Sequence, residues 1–68
     1  MVNTQKIKGR ITEKGLTIQK VAPKVNLSPY TLGKQINNRA PMNLRVADAL
    51  KTALDIPNEQ IDEYFFIS

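Results

Sequence analysis

Residues 17–37 read TIQKVAPKVNLSPYTLGKQIN, and the fold turns on how this stretch divides. Thr17 is an N-cap residue, and Ile18, Val21, Ala22 and Val25 behind it follow the i, i+3, i+4, i+7 spacing of one helix face. Asn26 tolerates a positive φ and ends that helix in a tight turn. Ser28 caps the next helix, and Pro29 takes its first position, where a fixed φ helps and a missing N–H costs nothing. Leu32 and Ile36 stand four apart on its buried edge. Two helices of about eight residues joined by a short turn make a helix-turn-helix over about 17–37. Pro23 is the one local conflict. Inside a helix it removes a hydrogen bond and crowds the carbonyl of Gln19, so a kink or an early end is expected there, eased by a place on the outer face.

The pair has steric requirements that the residues meet. Ala22 is small where the second helix must cross closely, and Leu27 plugs the turn into the core. With Leu32 and Ile36 facing inward, Pro29, Tyr30, Gly33, Lys34 and Asn37 fall on the opposite face.

Working outward, a first helix runs from about Asn3 to Lys14, with Asn3 or Thr4 as cap, Ile7 and Ile11 on one face and Gly15 as its left-handed stop. After the loop Asn37-Asn38-Arg39-Ala40-Pro41, a fourth helix begins near Asn43 and carries Val46, Ala49, Leu50, Ala53 and Leu54 at helical spacing. Pro57 breaks it and starts a short fifth helix around Asn58 to Tyr64, which adds Ile61 and an aromatic to the core. No alternating strand pattern occurs, so the expected architecture is all-α, five short helices in a single domain over 1–68.

Composition narrows the function. The 68 residues contain no cysteine, histidine or tryptophan. Disulfides and the usual nitrogen and sulfur metal ligands are therefore lacking, as is the commonest general base. Asp62 and Glu63 are adjacent, hence about 100° apart on a helix, and do not converge as a catalytic carboxylate pair. We expect neither an enzyme nor a cofactor or metal. The longest apolar run is Tyr64-Phe65-Phe66-Ile67 and the start of the chain lacks a signal-peptide pattern, so a soluble cytoplasmic protein is expected.

Charge points to the partner. All ten bases lie in residues 1–54 with only Glu13 and Asp48 as acids, a balance of +8, while residues 55–68 carry four acids and no base. A basic body suggests a polyanion as partner, although the same charges also keep a small protein in solution. In a helix-turn-helix the N-terminal residues of the second helix contact base edges and the first helix straddles the backbone. Tyr30 offers its hydroxyl, and its ring against a thymine methyl; Lys34 donates to guanine O6/N7 or falls back on a phosphate. Gly33 lets the helix seat deeply. Thr17 sits at a helix N-terminus, a natural phosphate site, and Gln19, Thr31, Asn37, Asn38 and Arg39 are the right types for positioning contacts. Each also has a plainer role: Ser28-Pro29 is a helix start first, Asn37 and Asn38 are loop formers, and Lys34 and Arg39 are solvated bases.

Residues 3–56, with Gly-Leu-Thr-Ile-Gln-Lys-Val-Ala (15–22) and Asn-Leu-Ser-Pro-Tyr-Thr-Leu (26–32) at their centre, resemble the lambda-repressor-like or Cro-type helix-turn-helix family, also called XRE-type. The look is that of short regulators encoded by phages and prophages. The resemblance covers about four-fifths of the chain. It implies base reading at Pro29, Tyr30 and Lys34, the first, second and sixth positions of the recognition helix. The family's glutamine after the cap is Ile18 here, with Gln19 next along: either that contact is lost or Gln19 takes it over. The turn glycine is replaced by Asn26, and Pro23 is unusual. The expected function is a sequence-specific transcription regulator that occupies a pseudo-palindromic operator in double-stranded DNA as two copies, without a small-molecule effector. Alternatives are a DNA-binding antitoxin whose acidic aromatic tail meets a toxin, and a protein–protein adaptor. In residues 59–68, Ile61 and Phe65 suit the core, while Tyr64, Phe66 and Ile67 exceed what one small face hides; they make either a dimer contact or a tail folded onto its own domain.

Overall fold

In the computed structural model, which describes residues 1–66, the chain is all-α. Helix α1 spans Thr4–Glu13, α2 Ile18–Val21, α3 Pro29–Ile36, α4 Leu44–Ala53 and α5 Ile61–Phe65, with 3-10 turns at Ala22–Val25 and Asn58–Gln60. None of these helices is long and apolar enough to cross a membrane.

Each main helix starts on a side-chain cap. Asn3, Thr17, Ser28 and Asn43 accept from the backbone N–H groups of Lys6, Lys20, Thr31 and Val46, which satisfies donors that the first turn leaves orphaned. Three of the helices end alike. After α1, Gly15 adopts φ +72° while Leu16 N–H reaches back to the Ile11 carbonyl at 2.9 Å. After α3, Asn38 (φ +60°) plays the same part and Arg39 N–H bonds the Lys34 carbonyl at 2.8 Å. After α4, Asp55 (φ +51°) does so with Ile56 N–H on the Lys51 carbonyl at 3.0 Å. All three are Schellman stops, in which one left-handed residue frees the chain to turn while the last carbonyls stay bonded. Asp55 therefore ends α4 before Pro57 is reached, a correction to the expected break. Pro57 instead leads into the 3-10 turn, and the α-helical part of the last element starts at Ile61 and runs to Phe65, not from Asn58 to Tyr64.

Pro23 does what its chemistry requires. The α-helix stops at Val21, continues as a 3-10 turn with Pro23 exposed, and closes on Asn26 at φ +58°. The core beneath draws on every helix: Ile7, Ile11, Val21, Ala22, Leu32, Ile36, Leu50, Leu54 and Phe65 are almost wholly buried. Ala22, expected where α3 crosses, opens the 3-10 turn and is completely buried.

The chain ends are tied in by contacts of long sequence separation. Val2 N–H donates to Asn38 Oδ1 at 2.9 Å and Asn38 Nδ2 donates to the Val2 carbonyl at 2.9 Å. Thr4 Oγ1 donates to the Ile36 carbonyl at 2.6 Å. At the other end Asn3 N–H donates to the Tyr64 carbonyl at 2.7 Å, and Lys6 Nζ lies 5.1 Å from the Tyr64 ring centroid. Tyr64 is thus buried beside Phe65 and is not surplus, whereas Phe66 is 57% exposed. Ile67, the other aromatic-tail residue expected outside the core, lies beyond the described residues.

Candidate nucleic-acid interface

Helix α3 is held by one edge. Its cap is doubly secured: Ser28 Oγ accepts from Thr31 N–H at 3.1 Å and donates to Thr31 Oγ1 at 3.0 Å, while Pro29 fixes the first turn. Leu32 and Ile36 are fully buried, so the opposite edge projects from the body. There Tyr30 is 76% exposed. Lys34, one turn on, carries its Nζ over the Tyr30 ring, 5.4 Å from the centroid. An exposed cation–π contact of this kind is worth about 0.5–1 kcal/mol, enough to bias both side chains toward one arrangement.

Six of the expected contact residues share one shallow depression: Pro29, Tyr30, Gly33, Lys34, Asn37 and Arg39. Asn37 Nδ2 donates to the Gly33 carbonyl at 2.9 Å, which sets that amide at the lower rim. Thr17, Gln19 and Thr31 lie outside this depression. Thr17 and Gln19 are exposed at the start of α2, and Thr31 is half-buried beside the α3 cap. Ile18 packs against the core, leaving Gln19 in solvent as the polar residue of that turn. Asn38 needs a correction. It was expected at a phosphate, but its amide is committed to Val2 and Thr4, and its backbone forms the α3 stop.

The electrostatics sort the bases into two groups. Lys6 pairs with Glu63 at 3.4 Å and Arg10 with Glu13 at 3.1 Å, both on α1, and Lys14 at its C-cap pairs with Asp55 at 2.6 Å. Arg10 also donates to the Leu54 and Asp55 carbonyls at 2.8 and 2.7 Å, capping the negative end of α4. Lys8, Lys20, Lys24, Lys34, Arg39, Arg45 and Lys51 make no ion pair among the described residues. The acidic end of the chain is therefore partly an internal counter-charge for α1, and the positive field persists over α2, α3 and the segments that follow them.

Two features were not evident from spacing. Lys24 and Arg45 face a common hollow beside Asn26 and Asn43, with no acidic side chain in its wall. They stand twenty-one residues apart in the chain, so only the fold brings them together. Leu44, 74% exposed, and Phe66 flank an open cleft between α4 and α5 that also includes Ile61 and Phe65.

Residues 2–68 match a family described as a protein of unknown function, DUF739. The chain belongs to the DUF739 family. No curated protein and no solved structure matches it. The family description carries no activity, so for this DUF739 chain the chemistry has to be argued from the depression on α3 and the unpaired bases around it.

Proposed function

We propose that the chain is a sequence-specific, double-stranded-DNA-binding transcription regulator that lays α3 in the major groove. The observation that supports this best is the two-sided character of α3. Its Leu32/Ile36 edge is fully buried, while Tyr30 and Lys34 project together from the other edge around a bare Gly33. A helix of eight residues presented this way fits the width of the major groove, where base edges are distinguishable. Pro29, Tyr30, Gly33 and Lys34 are assigned to bases. Thr17, Gln19, Thr31, Asn37 and Arg39 are assigned to phosphates, and Asn38 is withdrawn from that set.

The proposed mechanism is steric. Occupying an operator excludes polymerase or a rival regulator, in the manner of a Cro-like or short phage or prophage repressor working in the bacterial cytoplasm. The role is binding, not catalysis. Two copies on a pseudo-palindrome, with half-sites about 34 Å apart, would supply the affinity that one small module lacks. The exposed Leu44 and Phe66 offer apolar surface for that pairing, or for a protein partner such as a toxin.

The test is binding to mixed-sequence duplex over a range of salt concentrations. Phosphate contacts give a slope of about −0.9 per contact in log K against log salt, and several contacts are expected. Absent or salt-insensitive binding would remove the DNA reading in favour of a protein–protein adaptor.

A further inference from the structure

Gly33 sits inside α3, where glycine is disfavoured relative to alanine because it loses more backbone freedom on folding. Nothing in the protein asks for it. A Cβ built at Gly33 meets no atom within 4 Å, and its φ is not in the left-handed region, which among the glycines only Gly15 occupies. Gly9 in α1 has the same two properties, so a helical glycine alone decides nothing. The surroundings set Gly33 apart. It lines the shallow depression together with Pro29, the exposed Tyr30 and Lys34, whose Nζ lies 5.4 Å from the Tyr30 centroid. Asn37 and Arg39 complete its lining.

We propose that Gly33 is the seat of a thymine 5-methyl group, an inference that rests on the DNA-binding reading above. In the major groove the base edges offer hydrogen-bond donors and acceptors, and the thymine methyl is the apolar group among them. A methyl resting against the Gly33 Cα at about 3.5–4.0 Å would overlap with a Cβ placed there, so glycine is what leaves it room. Seating it there puts an apolar group beside Tyr30 and Pro29 and leaves the Lys34 ammonium to bond the neighbouring base pair. Glycine at this position thus selects a particular base.

The experiment begins with duplexes that the wild-type protein recovers from a random-sequence pool. The recovered site is resynthesised with deoxyuridine in place of each thymidine in turn, which removes one methyl at a time. Wild type, Gly33→Ala and Gly9→Ala are then compared on every duplex. At one position, loss of the methyl should weaken wild-type binding about fourfold, the factor that burying one such group is worth. Gly33→Ala should bind the thymine site about tenfold more weakly through overpacking, and recover most of that loss on the duplex lacking the same methyl. Gly9→Ala should bind as wild type. Both alanine variants should melt at or above the wild-type temperature, which separates the loss from any folding defect. A wild type indifferent to every methyl overturns the thymine seat, as does a Gly33→Ala protein equally weak on both duplexes or as tight as wild type; in each case DNA binding stands. Recovery of no duplex by wild type overturns the DNA reading itself.

Discussion

On α1 and at its C-cap, Lys6, Arg10 and Lys14 each meet a carboxylate, and Arg10 adds two carbonyls at the end of α4. On α3 and the loop behind it, Lys34 and Arg39 meet none, and Lys34 turns to the face of Tyr30. The residue types are the same and their work differs. Lys6, Arg10 and Lys14 clasp the first helix to residues 54–63, while Lys8 on the same helix pairs with none of the described residues; the bases around α3 remain available to an external anion. Net charge does not reveal this division, because it counts a base bonded to Asp55 and a base open to solvent alike. The acidic residues of the last segment, which a charge count sets against the basic body, complete the clasp through Glu63 and Asp55.

The comparison breaks most completely if α3 loses its anchored edge. Leu32→Ala removes a fully buried side chain from the core, a change that costs about 2–5 kcal/mol with its cavity. In a domain this small that is a large share of the total stability, and thermal unfolding followed by circular dichroism should show the midpoint falling by about 10 °C or more. A Leu32→Ala protein that melts with wild type would mean that α3 is not gripped where its buried face indicates.

The two groups of bases can be sharpened by exchanging the readout. Arg10→Ala should lower stability by about 1–3 kcal/mol, since it strips charge-assisted hydrogen bonds from the α4 terminus, while DNA affinity per folded molecule stays near wild type. Lys34→Ala should do the reverse. It loses only an exposed cation–π contact in stability, under about 1 kcal/mol, but about 1–3 kcal/mol of specific binding if the ammonium reads a base. If it touches phosphate instead, affinity should fall evenly across sequences and the salt slope should shrink by about one contact. Melting curves beside binding isotherms for the two variants check both halves.

What was legible in the sequence follows the range of each interaction. The caps at Asn3, Thr17 and Ser28 and the left-handed stops at Gly15 and Asn26 are short-range events, so residue type and spacing reveal them. The buried edge of α3 was legible for the same reason, and with it the exposed placement of Tyr30. Asn38 was not. Its identity suits a loop, a phosphate contact and a helix stop equally, and the choice is made by Val2, thirty-six residues away. Tyr64 likewise read as surplus until α1 supplied Asn3 and Lys6 to cover it. Asp55 counted only as an acid, because a left-handed aspartate gains its footing from Lys14 and from the Arg10 bond to its carbonyl. Within the candidate site, the side chains on α3 could be placed from periodicity; the shared hollow of Lys24 and Arg45 required the fold.

The smallest expected effect concerns Asp55 and is the finest probe of the α1 clasp. The Lys14 ammonium, bonded to Asp55 at 2.6 Å and adding its charge, holds that carboxyl below its ordinary value of 3.8. A carboxylate whose folded-state pKa is depressed contributes stability that is fully present above its unfolded value and disappears as the pH falls through the folded one. Lys14→Met, which keeps the stem and removes the charge, should therefore melt slightly below wild type at pH 6, and the gap should close as the pH drops from 4 toward 2. Asp55 is solvent-exposed, so added salt at pH 6 should narrow the same gap. A gap that persists unchanged at pH 2 would assign the effect to packing of the lysine stem, and the contrast between paired and unpaired bases would then rest on Arg10 and Lys6 alone.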